Sequence, residues 1–472
     1  MEGLEATTIP KSKLNLDLRC DAEFFHKQYL VEDSALSRVR SKPLGDFAVV
    51  TDGQHGYHVI DDESPIAMLT AKNAKGWFSD REGADRIAEE THVANLRSSL
   101  ESEDIILSTR GTVGLCAIVL PETLPANLDQ DVARISWDNH QEFVPEFVLA
   151  YLNSVFGQDR IRRYSTGMVQ QGLSLQKVRE IPIPMLSHAL QDRVRGVVKS
   201  AVELRAKHKT EMNRTEELLL DALGLADWSP PDPLTYTTPA SEAFGAGRID
   251  AEHFRPKFAA LVEKMMLHGK VVRLGDYLRF CERGRQPNYA DEGLPVVNSR
   301  HVRGGVVELD SQNRFAHEDP AQLRLDDEER TTIKQGDVLM NGTGVGTLGR
   351  CAAYLYQDKA LPDNHITILR PTVDVDLDPV FLAAELNSIV GQMQVEQYFK
   401  GSSGQIELYP TDIKEFRIWL APQEIQGGIR KYVESGHIAR EQAQAMLDRA
   451  KRGVELAIEE SEAAALKCLK ES

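Results

Sequence analysis

The sequence predicts a mixed α/β fold written twice in tandem, a pseudo-twofold duplication with a long helix behind each copy. Three observations carry this. An ordered series of motifs in the first half returns roughly 230 residues later. Within each copy, short apolar runs broken by glycine turns alternate with a stretch of helical spacing. Behind each copy lies a long amphipathic stretch: Leu190 to Leu223, with Val194, Val197, Val198, Ala201 and Leu204 as its apolar stripe, and Ile425 to about Leu469.

The copies match in order. Arg19-Cys20-Asp21-Ala22-Glu23-Phe24-Phe25 returns as Arg248-Ile249-Asp250-Ala251-Glu252-His253-Phe254, and Leu44-Gly45-Asp46-Phe47 as Leu274-Gly275-Asp276-Tyr277. The run Asp104 to Leu107 returns as Asp337 to Met340, and Gly111-Thr112-Val113-Gly114 as Gly346-Thr347-Leu348-Gly349. Leu152-Asn153-Ser154, Gly157-Gln158 and Tyr164 return as Leu386-Asn387-Ser388, Gly391-Gln392 and Tyr398, and Val178 to Ile181 as Ile413 to Phe416. Between these landmarks the copies diverge, most of all at 53–100 against 283–335.

Along the first copy, Leu44 to Val50 reads as a strand entering a turn at Asp52-Gly53. Asp104 to Thr109 and Leu115 to Leu120 read as strand–turn–strand. Cys116 and Cys351 fall at one place in that unit and are expected as packed core thiols. Pro145 to Tyr164 reads as one helix opening at its proline. A polar loop continues to Gln171, then a strand closing at Ile181-Pro182-Ile183-Pro184. The first long helix would run about 50 Å at 1.5 Å per residue. Its matched position in both copies favours helix packed on helix over a helix lying on its own domain. Asp227 to Gly247, rich in Pro, Ser and Thr, reads as a linker. The expected division is a first domain over 1–187, a helix over 188–224, a linker over 225–247, a second domain over 248–422 and a C-terminal helix over 423–472.

At 472 residues, 42% hydrophobic and 27% charged, the chain has an ordinary globular composition. No apolar run reaches the roughly 18 residues that span a bilayer, and no signal peptide is visible. The five cysteines form no C-x-x-C pair, which argues against a disulfide framework or zinc ribbon and for a reducing cytoplasm. The net charge of −17 runs against the basic face of a nucleic-acid binder; only the local field at a groove matters, and partners would supply part of any phosphate grip.

The landmarks resemble the specificity subunits of type I restriction–modification systems. The residues that carry the resemblance are the Leu-Gly-Asp openings at 44 and 274 and the runs leading to Gly-Thr-x-Gly at 111 and 346. To these belong the loops Gln170-Gln171-Gly172 and Ser403-Gly404-Gln405, the closings Ile181 to Pro184 and Trp419 to Pro422, and the long helices, together spanning about 15–460. The resemblance implies two target recognition domains held apart by antiparallel coiled-coil helices, each reading half of a split, asymmetric double-stranded DNA site. It implies two methyltransferase subunits docked on the helices, which methylate adenine using S-adenosylmethionine, and a motor-nuclease subunit that can join them. No cofactor is expected in this chain.

Candidate DNA contacts come from residue chemistry. Arg160, Arg162 and Arg163 are the densest basic cluster of the first copy, and with Arg110 and Lys400 they suit phosphates. Gln170, Gln171 and Gln405 carry amides that pair with base edges. Asn298, Ser299, Arg300 and Arg303 form a polar, basic run in the second copy; Gln54, His55, His58, Lys72, Asn73 and Lys75 are the candidates of the first. Tyr57 and Tyr289 are expected to cap the core rather than stack on a base.

Catalytic chemistry is not evident. The sequence holds no N/D-P-P-Y/F loop, no H-E-x-x-H and no P-loop. Gly344 to Gly349 fits G-x-G-x-x-G, but Arg350 to Leu355 reads as a strand, not as the helix that would hold a pyrophosphate. The expectation is a non-catalytic subunit. Two rivals stand beside it: a protein-interaction or DNA-mimic component of a defence complex, using its negative surface, and an enzyme with an unrecognised site.

Overall fold

The structure, a computed structural model, describes residues 8–9, 21–137, 142–166, 172–309, 313–317, 332–373, 375–402, 404 and 406–470. The chain forms two compact units, one of residues 1–204 with 441–472 and one of residues 205–440.

In the first unit the strands are β1 (Ser41–Pro43), β2 (Val49–Asp52), β3 (Ala67–Leu69), β4 (Ala74–Lys75), β5 (Phe78–Ser79), β6 (Asp85–Arg86), β7 (Ile105–Ser108), β8 (Cys116–Ile118), β9 (Ala126–Leu128), β10 (Val132–Ser136) and β11 (Pro182–Pro184). The helices are α1 (Lys27–Leu36), α2 (Glu89–Ala94), α3 (Pro145–Asn153), α4 (Val155–Tyr164), α5 (Leu175–Arg179) and the start of α6 (His188–Ala222). The main sheet has the order β2-β10-β7-β8-β5-β4, with β3 between β6 and β9 in a second sheet and β1 paired to β11.

The second unit repeats this plan. Short helices α7 (Ala240–Ala246) and α8 (Pro256–Met266) precede β12 (Val271–Arg273) and β13 (Leu278–Arg283). Then come β14 (Tyr289–Ala290), β15 (Leu294–Val297), β16 (Val302–Arg303), β17 (Gly305–Val307), β18 (Phe315–Ala316), β19 (Val338–Asn341), β20 (Cys351–Ala353), β21 (Leu361–Pro362) and β22 (Ile366–Pro371). Helices α9 (Pro379–Asn387), α10 (Ile389–Tyr398) and α11 (Pro410–Ile413), strand β23 (Arg417–Trp419) and the long α12 (Gln423–Glu459) complete it, with α13 (Glu462–Cys468) returning to the first unit. Its main sheet, β13-β22-β19-β20-β17-β16, has the same order strand for strand, and β12 pairs with β23 as β1 does with β11. The duplication read from the sequence is therefore a duplication of topology.

The repeated motifs are the joints of this frame. Asn387 accepts from the Cys351 amide and donates to its carbonyl, both at 2.8 Å, fixing α9 to β20. Gln158 donates to the Gly114 carbonyl at 2.9 Å, and Gln392 to the Gly349 carbonyl at 3.3 Å. Gln191 and Gln426, near the starts of the long helices, accept from the Val144 and Asp378 amides at 3.0 and 2.7 Å and so pin the entries to α3 and α9. Cys116 and Cys351 are fully buried, and burial pushes both thiols up.

Three local expectations are corrected. Leu44 to Asp46 is a 3-10 turn, and the strand starts only at Val49. Pro145 to Tyr164 is two helices broken at Ser154, whose hydroxyl caps the second; Ser388 does the same in the second unit. The break brings Gly157 and Gly391 against backbone, where a β-carbon would lie 2.2 Å from the Tyr151 carbonyl and 2.0 Å from that of Leu386. The linker holds helix α7.

The long helices pack on each other inside each unit. In the first, Leu190, Val194, Val198 and Ala201 share a core with Ala450, Val454 and Ile458, and Arg193 donates to the Leu469 carbonyl. In the second, His208 bonds the Gly436 carbonyl at 2.9 Å while Leu218 lies against Gly428, so the two segments run antiparallel. No helix among the described residues is long and apolar enough to cross a membrane.

Candidate nucleic-acid interface

The divergent middles fold alike, which the sequence concealed. Beyond β3, the Thr70 amide donates to Asn73 Oδ1 at 3.0 Å and the Lys72 amide to Thr70 Oγ1 at 3.3 Å. Beyond β15, the Asn298 amide donates to His301 Nδ1 at 3.0 Å and the Arg300 amide to Asn298 Oδ1 at 3.1 Å. Each capped turn runs into a tight hairpin, β4–β5 through Gly76 and β16–β17 through Gly304, both with positive φ. Residues 70–76 thus superimpose in pattern on 298–304. Lys72 corresponds to Arg300 and Lys75 to Arg303. A cation stands at both positions in both units, although Gly is the only residue the two segments share.

Lys72, Lys75 and Arg303 are exposed and Arg300 is half-buried. Lys75 lies 3.1 Å from Asp80 and 3.3 Å from Glu82. Asn298 is engaged as the cap of its turn. Ser299 is half-buried beside it, and its carbonyl accepts from Asn341.

The neighbouring strand ends are equally matched. The Asp129 amide donates to the Leu69 carbonyl and the Asp363 amide to that of Val297, at 3.0 and 2.9 Å. Asp129 and Asp363 then accept from the Asp131 and His365 amides at 3.0 and 2.9 Å. Burial raises both carboxyls above the usual range. Gly53 and Gly284 admit this turn: a β-carbon would lie 1.9 and 2.3 Å from the carbonyls of Asp129 and Asp363. Arg110, exposed after β7, sits 3.4 Å from Asp131. Asp52 holds His55 at 2.6 Å and Arg97 at 2.9 Å.

Arg160 and Arg163 are corrected. Both turn inward onto Asp33 of α1, at 2.5 and 2.7 Å. Arg163 is 7% exposed, donates to the Phe24 carbonyl at 2.7 Å and covers the Phe24 ring at 4.3 Å. In the second unit Gln397 takes this place and donates to the His253 carbonyl at 3.2 Å. The cluster is thus a clamp on the segment before α1, and neither arginine offers its guanidinium to a phosphate. Arg162 is exposed and paired with Asp159. Lys400 is paired with Asp412 at 2.8 Å and lies over the Tyr409 ring. Gln170, Gln171 and Gln405 lie outside the described residues. Tyr57 is 88% exposed, not a core cap, whereas Tyr289 is half-buried beneath Arg314. Among the described residues, no group of His, Cys, Asp and Glu could hold a metal ion.

No protein-family model matches the sequence, and no curated protein does. Among solved structures, the chain is similar to the type I restriction-modification S subunit from M. genitalium, at TM-score 0.41 and 13% identity over 92% of this chain and 96% of that one. It is also similar to the HsdS subunit from Thermoanaerobacter tengcongensis, at TM-score 0.25 and 17% identity over 91% and 96%. A third match, at TM-score 0.27 and 16% identity over 88% and 98%, is a chain from a study of complex assembly and conformational transition of the type I R-M system. Over most of its length this chain is similar to the specificity subunits of type I restriction–modification systems.

Proposed function

We propose that the chain reads DNA and directs a separate adenine methyltransferase to a bipartite, asymmetric site. The observation that carries this is the recurrence of two cations, Lys72 and Lys75, then Arg300 and Arg303, on the same capped turn and hairpin, in a stretch where the two units otherwise differ in sequence. Cations on a fixed turn suit phosphate oxygens, which set register without reading sequence. Two non-identical readers in one chain make the target non-palindromic.

The motif resemblance supports the rest of the reading. Two methyltransferase subunits would dock on the long helices and bring S-adenosylmethionine, a motor-nuclease subunit could join, and the assembly would work in the cytoplasm. The chain itself positions and does no chemistry.

Duplex binding across 50 to 200 mM salt tests this. The unaltered chain is expected to lose affinity steeply, and R300A/R303A to flatten the log–log slope by about one for each phosphate no longer neutralised. K72A/K75A is expected to act likewise. An unchanged slope in both variants sinks the assignment of these cations. Absence of duplex binding favours instead the acidic interaction protein. Genome-wide adenine methylation, compared with and without the gene, tests the partner.

A further inference from the structure

At one place the two units keep the backbone and change every side chain. The Thr109 amide donates to the Asp131 carbonyl at 2.8 Å, and the Gly342 amide to the His365 carbonyl at 2.8 Å. Arg110 bridges to Gly172, which bridges to Thr166; Thr343 bridges to Glu407, which bridges to Lys400. Four positions therefore coincide. The first unit places Arg110, Asp131, Thr166 and Gly172 there. The second places Thr343, His365, Lys400 and Glu407. The side chains at the first two positions face each other in both units: Arg110 Nη1 lies 3.4 Å from Asp131 Oδ1, and Thr343 Oγ1 lies 2.6 Å from His365 Nδ1. Arg110 and His365 are exposed, and Asp131 is 41% exposed at its side chain.

A backbone held this closely while its side chains change from a charged pair to a hydroxyl and an imidazole is built to present chemistry outward. In the first unit it presents a donor and an acceptor side by side, whereas a phosphate offers acceptors only. It does match one base pair. A guanidinium offers parallel donors to guanine O6 and N7, and a carboxylate accepts from the cytosine N4 amine.

Resting on the DNA-reading proposal above, we infer that these paired positions determine specificity: Arg110 with Asp131 reads a G·C pair in one half-site, and Thr343 with His365 reads a different base pair in the other. The long 3.4 Å separation lets Arg110 keep donors for the base edge while Asp131 holds its direction.

The test is selection of a randomised DNA duplex library by the full-length chain at low salt, followed by sequencing. The unaltered chain is expected to enrich a two-part motif. R110A is expected to erase a guanine at one position of one half-site, to leave the other half-site intact, and to weaken binding of the original motif roughly 10- to 100-fold. T343R/H365D is expected to change one position of the other half-site to G·C. Both substitutions are at the surface, and unaltered melting temperatures would establish that they fold. If both variants enrich the original motif, the inference is overturned while DNA reading stands. If the unaltered chain enriches no motif, the reading itself fails.

Discussion

Arg370 and Asp337 form a buried, two-point ion pair, Nε to Oδ1 at 2.7 Å and Nη2 to Oδ2 at 2.8 Å, with side chains 3% and 1% exposed. The first unit keeps the aspartate and moves its partner. Asp104, raised by burial above its usual range, takes Arg134 Nε at 2.7 Å. Arg134 stands opposite Ile106 on β10, one residue before Ile135, whereas Arg370 comes directly after Leu369, the residue that corresponds to Ile135. The arginines thus sit two positions apart on matching strands. Two is the period of a strand, so both point to the same face and reach the same carboxylate.

Removing one member of such a pair leaves the other charged in the core. R370M is expected to lower the stability of the second unit by about 3 to 5 kcal/mol. The double variant D337N/R370M is expected to recover much of that loss, because the uncompensated charge is gone. Chemical denaturation of the two variants decides: equal losses in both would show that packing, not charge, explains the site.

Arg163 and Arg160 share Asp33, so the basic cluster of the first unit is predicted to matter for folding and not for DNA. R163A is expected to cost about 2 kcal/mol, the range for hydrogen bonds to charged groups. Duplex affinity at a temperature where the variant is folded is expected to stay within twofold. A large affinity loss with unchanged melting would return Arg163 to the DNA surface.

Gly391 allows α10 to turn back against α9. An added β-carbon would lie 2.0 Å from the Leu386 carbonyl, and backbone cannot yield as a side-chain tip can. G391A is therefore expected to destabilise by about 3 kcal/mol, at the upper end for overpacking. Gly427 in α12 meets nothing within 4 Å, so G427A is expected to be neutral or to stabilise by up to about 1 kcal/mol. Limited proteolysis of the pair reads the contrast; similar behaviour would refute the packing account.

What was legible in the sequence was the frame. Asn387, Gln392 and Gly391 recur because each meets backbone, and a joint to backbone tolerates few side chains. The turns bearing Lys72 and Arg300 were not legible, because Thr70 and Asn298 cap them with different atoms that make the same bonds. Equivalence there lies in the backbone, and pattern matching sees only side chains. Arg160 and Arg163 depart from expectation for another reason: their spacing shows three charges together, while Asp33 lies 127 and 130 residues away. Tyr57 faces outward against expectation because an aromatic residue gives no sign in the sequence of which way its loop faces.

Glu385 supplies a test through pH. It is fully buried on α9, where one oxygen accepts from the Trp419 amide at 2.7 Å and the other has no partner among the described residues. Burial pushes its carboxyl up to about 8, and the single amide bond only partly opposes this. The folded chain therefore holds a proton that the unfolded chain releases near pH 4.5. Stability from this group is complete below that pH and falls as pH rises toward 8, by up to about 1.4 kcal/mol per unit, then levels off. E385Q keeps the shape without the titration. The melting temperature of the variant relative to the unaltered chain is expected to climb between pH 5 and pH 8. A gap that stays constant across that interval would show that Glu385 is already ionised in the fold.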